Sequence, residues 1–256
     1  SQRAFSKMKN DKMIFGLHSI SEAFEAGKEI DKIFIRRGLK TEQTEAIIRE
    51  AVERCVPVMH VPIEKLDRLT SKNHQGVVAI LSAIEYTRLD QLIPMLYEEG
   101  KAPFLLLLDG ITDVRNFGAI ARTAECAGVD AIIIPERGSV SVGGDAIKTS
   151  AGALHRIPVC RVTSIPGAIR SLQEYGIRIV AASEKAADLY TDVPMKLPLG
   201  IVMGAEDVGP SPDTLRMADG IVAIPQMGAI GSLNVSVAAG IVIYEVVRQQ
   251  RLQSSN

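Results

Sequence analysis

The sequence predicts an α/β protein, with a mostly parallel sheet in its C-terminal part and a smaller α/β unit before it. Three observations carry that prediction. Phe104-Leu-Leu-Leu-Leu108 is a continuous apolar run, the pattern of a strand buried on both faces of a parallel sheet. From there onward, six short apolar strands alternate with helical patterns. Finally, the loops Asp109–Gly118, Gly204–Pro210 and Pro225–Ser232 follow three of those strands and carry glycines and isolated polar residues. In open α/β sheets, ligands sit outside the carboxyl ends of the strands.

The elements follow in order. Residues 1–12 form a basic tail with Arg3, Lys7, Lys9 and Lys12, and residues 1–40 hold nine Lys/Arg against five Asp/Glu. Such an end is either a solvated tail or an arm that reaches phosphates. Residues 13–84 read as the small unit. Its helical patterns are His18–Ala26, Glu42–Cys55 and Glu64–Leu69, and its strands are Ile33–Ile35, Val56–Val61 and Gly76–Leu81. Residues 85–88 are polar and read as a linker, and residues 89–256 form the larger domain. There, Leu89–Glu98, Ala119–Ala127, Ala146–Ala153, Ile165–Glu174 and Leu233–Arg251 have helical patterns. Beyond Phe104–Leu108, the strands are Ala131–Ile134, Ile157–Arg161, Arg178–Ala182, Leu199–Met203 and Ile221–Ile224.

Composition narrows the function. The chain has 256 residues, 46% of them apolar, and its 29 basic and 30 acidic side chains nearly cancel. Binding to a nucleic acid would therefore use a local patch, not a global field. Cys55, Cys126 and Cys160 form no C-x-x-C pair and the four histidines are scattered, so neither a metal site nor a disulfide framework is expected. No run approaches the ~20 apolar residues of a membrane span. The polar, basic start has no signal-peptide pattern, and a cytoplasmic protein is expected. The G-x-G-x-x-G and G-x-x-x-x-G-K-[S/T] nucleotide fingerprints are missing, which argues against an ordinary dehydrogenase or P-loop NTPase.

Each glycine-bearing loop has a bland reading and a functional one. Asn116 lies just before a helix opened by Gly118, as a cap or a ligand contact. Arg122 sits one turn into that helix among small apolar residues, so it either snorkels to an acid or meets a ligand's anionic group. Glu206 lies in an acidic turn at the mouth of the crevice, and Ser232, Asn234 and Ser236 alternate where capping of the last helix is expected.

Together these residues resemble a known family. Asn116-x-Gly118-x-Ile120-x-Arg122, Met203-Gly-x-Glu206-x-x-Gly209, and Ile224-Pro-x-Met227 followed by Ser232-Leu-Asn-Val-Ser236 look like the three signature motifs of the SpoU/TrmH branch of the SPOUT methyltransferases. Ser150-Ala-Gly-Ala153 and His155-Arg-Ile-Pro158 resemble its middle segment. Gly16-x-His18 and His74-Gln-Gly-Val-Val78 resemble the ribosomal-protein-like substrate-binding domain of the branch that includes RlmB, the 23S ribosomal RNA guanosine methyltransferase. One departure is Val114-Arg115, where many members carry Pro-Gly or Pro-Arg.

The resemblance implies an S-adenosylmethionine-dependent transfer of a methyl group to a ribose 2′-hydroxyl of RNA. It also implies a trefoil knot and a homodimer formed through the C-terminal domain. By the same carry-over, Met203, Gly204, Gly209, Ile224, Met227 and Leu233 would hold the cofactor. Asn116, Arg122, Glu206, Ser232 and Asn234 would line the catalytic pocket. Arg122 is the family's proposed base, but a guanidinium is rarely neutral, so a cation beside the RNA phosphate and the developing alkoxide is the preferred role. In the first domain, Arg36, Arg37 and Lys40 are expected phosphate contacts, with His74 and Gln75 as base or ribose contacts. A guanosine of 23S ribosomal RNA is the expected target, with transfer RNA Gm18 as runner-up. A non-catalytic RNA-binding protein and a small-molecule α/β enzyme are the readings from other classes.

Overall fold

The computed structural model describes residues 12–255. The basic tail expected over residues 1–12 thus lies, apart from Lys12, outside the described residues. The chain divides into two compact units: one ends at Glu85 and also takes in Ser141–Gly144, and the other comprises Tyr86–Val140 and the residues from Asp145 on.

The first unit contains β1 (Met13–Phe15), α1 (Leu17–Glu25), β2 (Ile30–Arg36), α2 (Glu42–Glu53), β3 (Val58–Val61), α3 (Ile63–Leu69) and β4 (Val77–Leu81). The sheet order is β1-β4-β2-β3, with β2 parallel to β3 and β4 antiparallel to both of its neighbours. Side chains alternate across β2 and β4. Ile33, Ile35, Val77 and Ala79 pack on one face with Ile20, Phe24 and Ile47, whereas Phe34, Val78 and Ile80 pack on the other with Leu66 and Leu69. A capping box starts α2: Thr44 donates its backbone N–H to the Thr41 hydroxyl at 3.1 Å, and the Thr41 N–H returns a bond to the Thr44 hydroxyl at 2.8 Å.

The second unit contains α4 (Leu89–Glu98), β5 (Phe104–Asp109), α5 (Val114–Cys126), β6 (Ala131–Pro135), α6 (Gly144–Thr149), a 3-10 turn at Ala153–His155, and β7 (Val159–Val162). Then come α7 (Ile165–Glu174), β8 (Arg178–Ala182), β9 (Asp188–Leu189), β10 (Leu199–Gly204), α8 (Pro212–Met217), β11 (Gly220–Ala223) and α9 (Val235–Ser254). The strands form a seven-stranded sheet in the order β7-β6-β5-β10-β8-β11-β9, and every neighbouring pair is parallel. Leu105, Leu107, Ile133, Ile179 and Val202 cover one face beneath Ile93, Ile169 and Leu172 of α4 and α7. Burial pushes the Cys160 thiol, which lies in that core, up to about 12.

The structure differs from the pattern reading at several elements. Two short ones, β9 and α8, lack the length that periodicity requires, although Ser211-Pro212 has the cap-then-proline start of a helix. Helix α5 begins at Val114, not near Gly118, because the Asp113 carboxylate accepts the Asn116 N–H at 2.9 Å and caps it there. Gly118 is therefore inside the helix, where a Cβ would overlap the Thr149 hydroxyl and lie 2.7 Å from the Thr149 Cβ. Close packing of α5 against Thr149, not a turn, requires this glycine. Helix α9 begins at Val235, with Asn234 and not Ser236 as its cap.

The end of α9 fastens a preceding segment. Gln249 accepts the Met195 N–H at 2.7 Å and donates to the Val193 carbonyl at 3.2 Å, while Gln250 donates to the Met195 carbonyl at 2.7 Å. Glu245, buried on the same helix, takes a forked pair of bonds from Arg248 at 2.7 and 2.9 Å.

Candidate active site

At the C-terminal ends of β8, β10 and β11 lies a cavity of about 370 Å³. Four segments line it: Ala182–Lys185, Met203–Gly209, Val222 with Ile224 and Gln226, and residues around α9's start, including Ser232, Leu233, Val235 and Ala238. Sheet order explains the grouping. Placing β10 beside β8, and β8 beside β11, brings the ends of these strands together although long stretches of chain separate them.

The wall after β10 is folded tightly. Gly209, at φ +71°, donates its N–H to the Ala205 carbonyl at 2.7 Å. A Cβ on Gly204 would overlap the Gly209 carbonyl carbon and the Pro210 nitrogen, so only glycine fits there. Glu206, Asp207 and Val208 at the loop's tip are exposed. Glu184, Glu206 and Asp207 give the cavity three carboxylates against the single ammonium of Lys185.

Of the sequence-predicted residues, Met203, Gly204, Gly209, Ile224, Leu233, Glu206 and Ser232 line this cavity. Met227 does not; it stands 93% exposed. Asn116, Arg122 and Asn234 are also outside its lining, but Asn234 lies between two lining residues, Leu233 and Val235. The Asn234 amide donates to Asn116 Oδ1 at 3.1 Å, which joins the starts of α9 and α5. Further along, a Cβ on Gly240 would lie 3.7 Å from the Thr123 methyl. Asn116 with Asn234 and Thr123 with Gly240 thus keep step along the two helices, which run side by side in the same direction.

The hydrogen bonds fix what each amide offers. Asn234 Oδ1 accepts the Ser236 N–H at 3.0 Å and the Ser236 hydroxyl, so its NH₂ must face Asn116. Asn116 Oδ1 receives that bond, and its own NH₂ has no partner among the described residues. The pair therefore leaves open the two N–H donors of Asn116, the second N–H of Asn234 and one lone pair of Asn116 Oδ1, while Asn234 Oδ1 is fully used.

Arg122 is exposed and has no ion pair among the described residues, with Glu206 or any other acid. It shares its helix face with Arg115, two turns earlier, also exposed and unpaired among the described residues. Sequence reading named Arg115 only as a departure from the family pattern and passed over the Ala182–Lys185 loop. The spacing of seven residues was a signal for Arg115, whereas the loop had none, because its neighbours are set by strand order.

In the first unit, Arg36, Arg37, Lys40 and Gln75 are exposed, and Gln75 is held at φ +53°. His74 corrects the expectation placed on it. It is buried, its Nδ1 accepts the Gly76 N–H at 2.9 Å, and its Nε2 bonds the Asp67 carboxylate at 2.7 Å. Both ring nitrogens are occupied, and His74 shapes the turn that presents Gln75. Among the described residues no group of three or more His, Cys, Asp and Glu side chains is placed to hold a metal ion, and no helix is long and apolar enough to cross a membrane.

Residues 103–244 match the SpoU rRNA methylase family profile, and residues 13–87 match that of the RNA 2′-O ribose methyltransferase substrate-binding domain. The chain belongs to the SpoU rRNA methylase family. A TrmH family tRNA/rRNA methyltransferase from Staphylococcus haemolyticus is 38% identical over 246 residues, covering 96% of this chain and 99% of that protein. An AdoMet-bound rRNA methyltransferase from Sinorhizobium meliloti has a TM-score of 0.59 at 25% identity, over 97% of this chain and 90% of that one. The TrmH/SpoU tRNA-modifying enzyme of A. aeolicus, with a TM-score of 0.55 at 25% identity, covers 64% of this chain and 86% of its own. The matched range contains the three stretches that resemble the SpoU signature motifs, on the β5–α5 connection and its helix, the β10 loop, and the β11–α9 connection.

Proposed function

We propose that this SpoU family chain is an S-adenosylmethionine-dependent RNA 2′-O-ribose methyltransferase acting on a guanosine of 23S ribosomal RNA. The observation that carries the reading is the bonded Asn116–Asn234 pair beside the glycine-walled cavity. The cavity suits the cofactor. Its volume of about 370 Å³ is that of a small-molecule site, and an excess of carboxylates lines it, as a cationic ligand requires. Met203, Gly204, Gly209, Ile224 and Leu233 would hold the cofactor, with Ser232 and Glu206 in the lining of the same cavity. When bound, the cofactor supplies an electrophilic methyl group on a positively charged sulfur.

The chain's own residues then have two tasks. A ribose hydroxyl is a weak nucleophile and must be aligned while charge builds on its oxygen. The Asn116 NH₂ group would donate to that oxygen, with Asn234 holding Asn116 in position. Arg122 and Arg115 supply cations on one helix face, where an RNA phosphate is held and the hydroxyl's acidity is raised. The proton passes to water or to the phosphate.

Arg36, Arg37, Lys40 and Gln75 of the first unit supply RNA contacts. Ribosomal RNA is favoured over transfer RNA because the likeness to the Sinorhizobium rRNA methyltransferase spans both units, whereas the tRNA-modifying neighbour covers 64% of the chain. A homodimer formed through the second unit would cover Val208, Met227, Ile230, Val237 and Tyr244, large apolar side chains left exposed on that unit. Incubation with methyl-labelled S-adenosylmethionine and separated ribosomal and transfer RNA, followed by mapping of the methylated ribose, tests the reading. Label in 23S RNA at a guanosine 2′-oxygen is expected. Label only in transfer RNA overturns the target, and no label in either pool overturns the activity.

A further inference from the structure

We propose that Asp109 is a positioning residue for the cofactor, acting through the Gly204–Pro210 loop; this rests on the methyltransferase reading above. Asp109 is the last residue of β5 and the register partner of Gly204 in the β5–β10 ladder. It is thus beside the loop where the loop begins. Its side chain also reaches the place where the loop ends: Oδ2 accepts the Ser211 backbone N–H at 2.9 Å and the Thr214 hydroxyl at 2.7 Å.

Thr214 is fully buried, and its hydroxyl also accepts the Ser211 hydroxyl at 3.0 Å. Ser211 in turn caps α8 through the Thr214 N–H at 3.3 Å. The exit of the loop is therefore held by a closed set of bonds centred on one carboxylate, and a carboxylate is the stronger acceptor for two donors at once. Between entry and exit, the loop's own hold is the Gly209–Ala205 bond at 2.7 Å. No side-chain hydrogen bond involves Glu206, Asp207 or Val208 among the described residues. Where these tip residues lie depends on the base of the loop; Asp109 stands beside its entry in the β5–β10 ladder and its carboxylate holds its exit. Asp109 itself does not line the cavity, so its effect on the cofactor passes through the loop.

Three variants and three measurements test this: cofactor affinity by calorimetry with S-adenosylmethionine alone, RNA affinity without cofactor, and melting temperature. Asp109→Ala removes both bonds and is expected to weaken cofactor binding by about tenfold or more while leaving RNA affinity unchanged. Asp109→Asn keeps an oxygen for both donors and is expected to stay within about threefold of the wild type. Thr214→Val deletes the bond to Asp109 and the bond from the Ser211 hydroxyl without touching β5, so it reports even where Asp109→Ala fails to fold; a loss of about threefold is expected.

A merely structural cap would lower the melting temperature of Asp109→Ala and Thr214→Val alike and leave cofactor affinity at its wild-type value in the folded protein. That result overturns the proposal, as does failure of Asp109→Asn to rescue. If the folded wild-type chain does not bind S-adenosylmethionine, the methyltransferase reading falls and the proposal falls with it. If the wild type binds and the variants bind equally well, the proposal alone falls.

Discussion

The Asn234 amide donates to Asn116 Oδ1 across 3.1 Å, joining the first turns of two helices that lie far apart in the chain. The same Asn234 caps α9 through its other side-chain atom, so capping and linkage occupy opposite ends of one amide. Asn234→Asp separates them, because a carboxylate still accepts the Ser236 N–H but cannot donate to Asn116. Melting near the wild-type temperature is expected together with a loss of turnover of about tenfold to a hundredfold. Asn234→Ala is expected to lose the cap as well, costing about 1 kcal/mol of stability. Unchanged turnover in Asn234→Asp rejects the positioning role given to the pair.

Arg122 has the opposite profile, since nothing in the described fold leans on its charge. Arg122→Ala is expected to change stability by no more than about 0.5 kcal/mol, the ordinary range for surface positions. Methyl transfer should fall by about two orders of magnitude, the scale of losing one aimed charge at a reacting oxygen. Arg122→Lys keeps the charge but not the fork, and normal activity with an unshifted pH–rate profile would reject both roles considered for this side chain.

Gly118 shows how a residue can be legible and misread. In the sequence it looks like a turn that opens a helix, because glycine punctuates chains more often than it packs them. In the structure it lies against Thr149, and a Cβ would meet Thr149 atoms at and below 2.9 Å. Gly118→Ala is expected to destabilise the second unit by about 1–3 kcal/mol, as overpacking does. Adding Thr149→Ala should restore part of this loss, because the Thr149 backbone carbon, 2.9 Å from the new methyl, stays in place. Thermal melting of the two single variants and the double variant reads the coupling, and strict additivity would contradict the contact.

Glu245 gives the fold a pH dependence. Its hydrogen bonds from the Arg248 guanidinium, and next from the Gln249 amide, hold its carboxyl below the usual carboxylate range against the opposing effect of burial. A depressed folded-state value stabilises the native chain above the unfolded pKa of about 4.3, and that stability is lost as pH falls through the folded value. Glu245→Gln should therefore melt below the wild type at neutral pH, and the gap should narrow as the pH falls below about 4.3 and close once it passes below the folded value. A gap of constant size across that range would show that the ion pair contributes nothing.

The alternation of elements and the buried character of β5 were readable because they depend on local pattern alone. Most of the cavity's wall was readable too, since Gly204, Gly209 and Leu233 sit in motifs. The Ala182–Lys185 loop was not, because Ser183-Glu-Lys-Ala is an unremarked polar turn until β8 is found beside β10. His74 failed for a related reason. A histidine beside a glutamine looks available for a ligand, and only Asp67 and the Gly76 N–H reveal that its ring is already committed.

Because β10 fills the gap between β5 and β8, the centre of the large sheet is the sixth of its seven strands to be synthesised. The cavity's last wall, Ser232–Ala238, comes later still, followed by the rest of α9. During synthesis, β5 and β8 therefore emerge with open edges facing a vacancy, the condition in which parallel strands are prone to mispairing. A growing chain has no completed pocket with which to capture a small molecule, so cofactor cannot stabilise the early stages of folding. The complete cavity exists only once translation has delivered the start of the final helix.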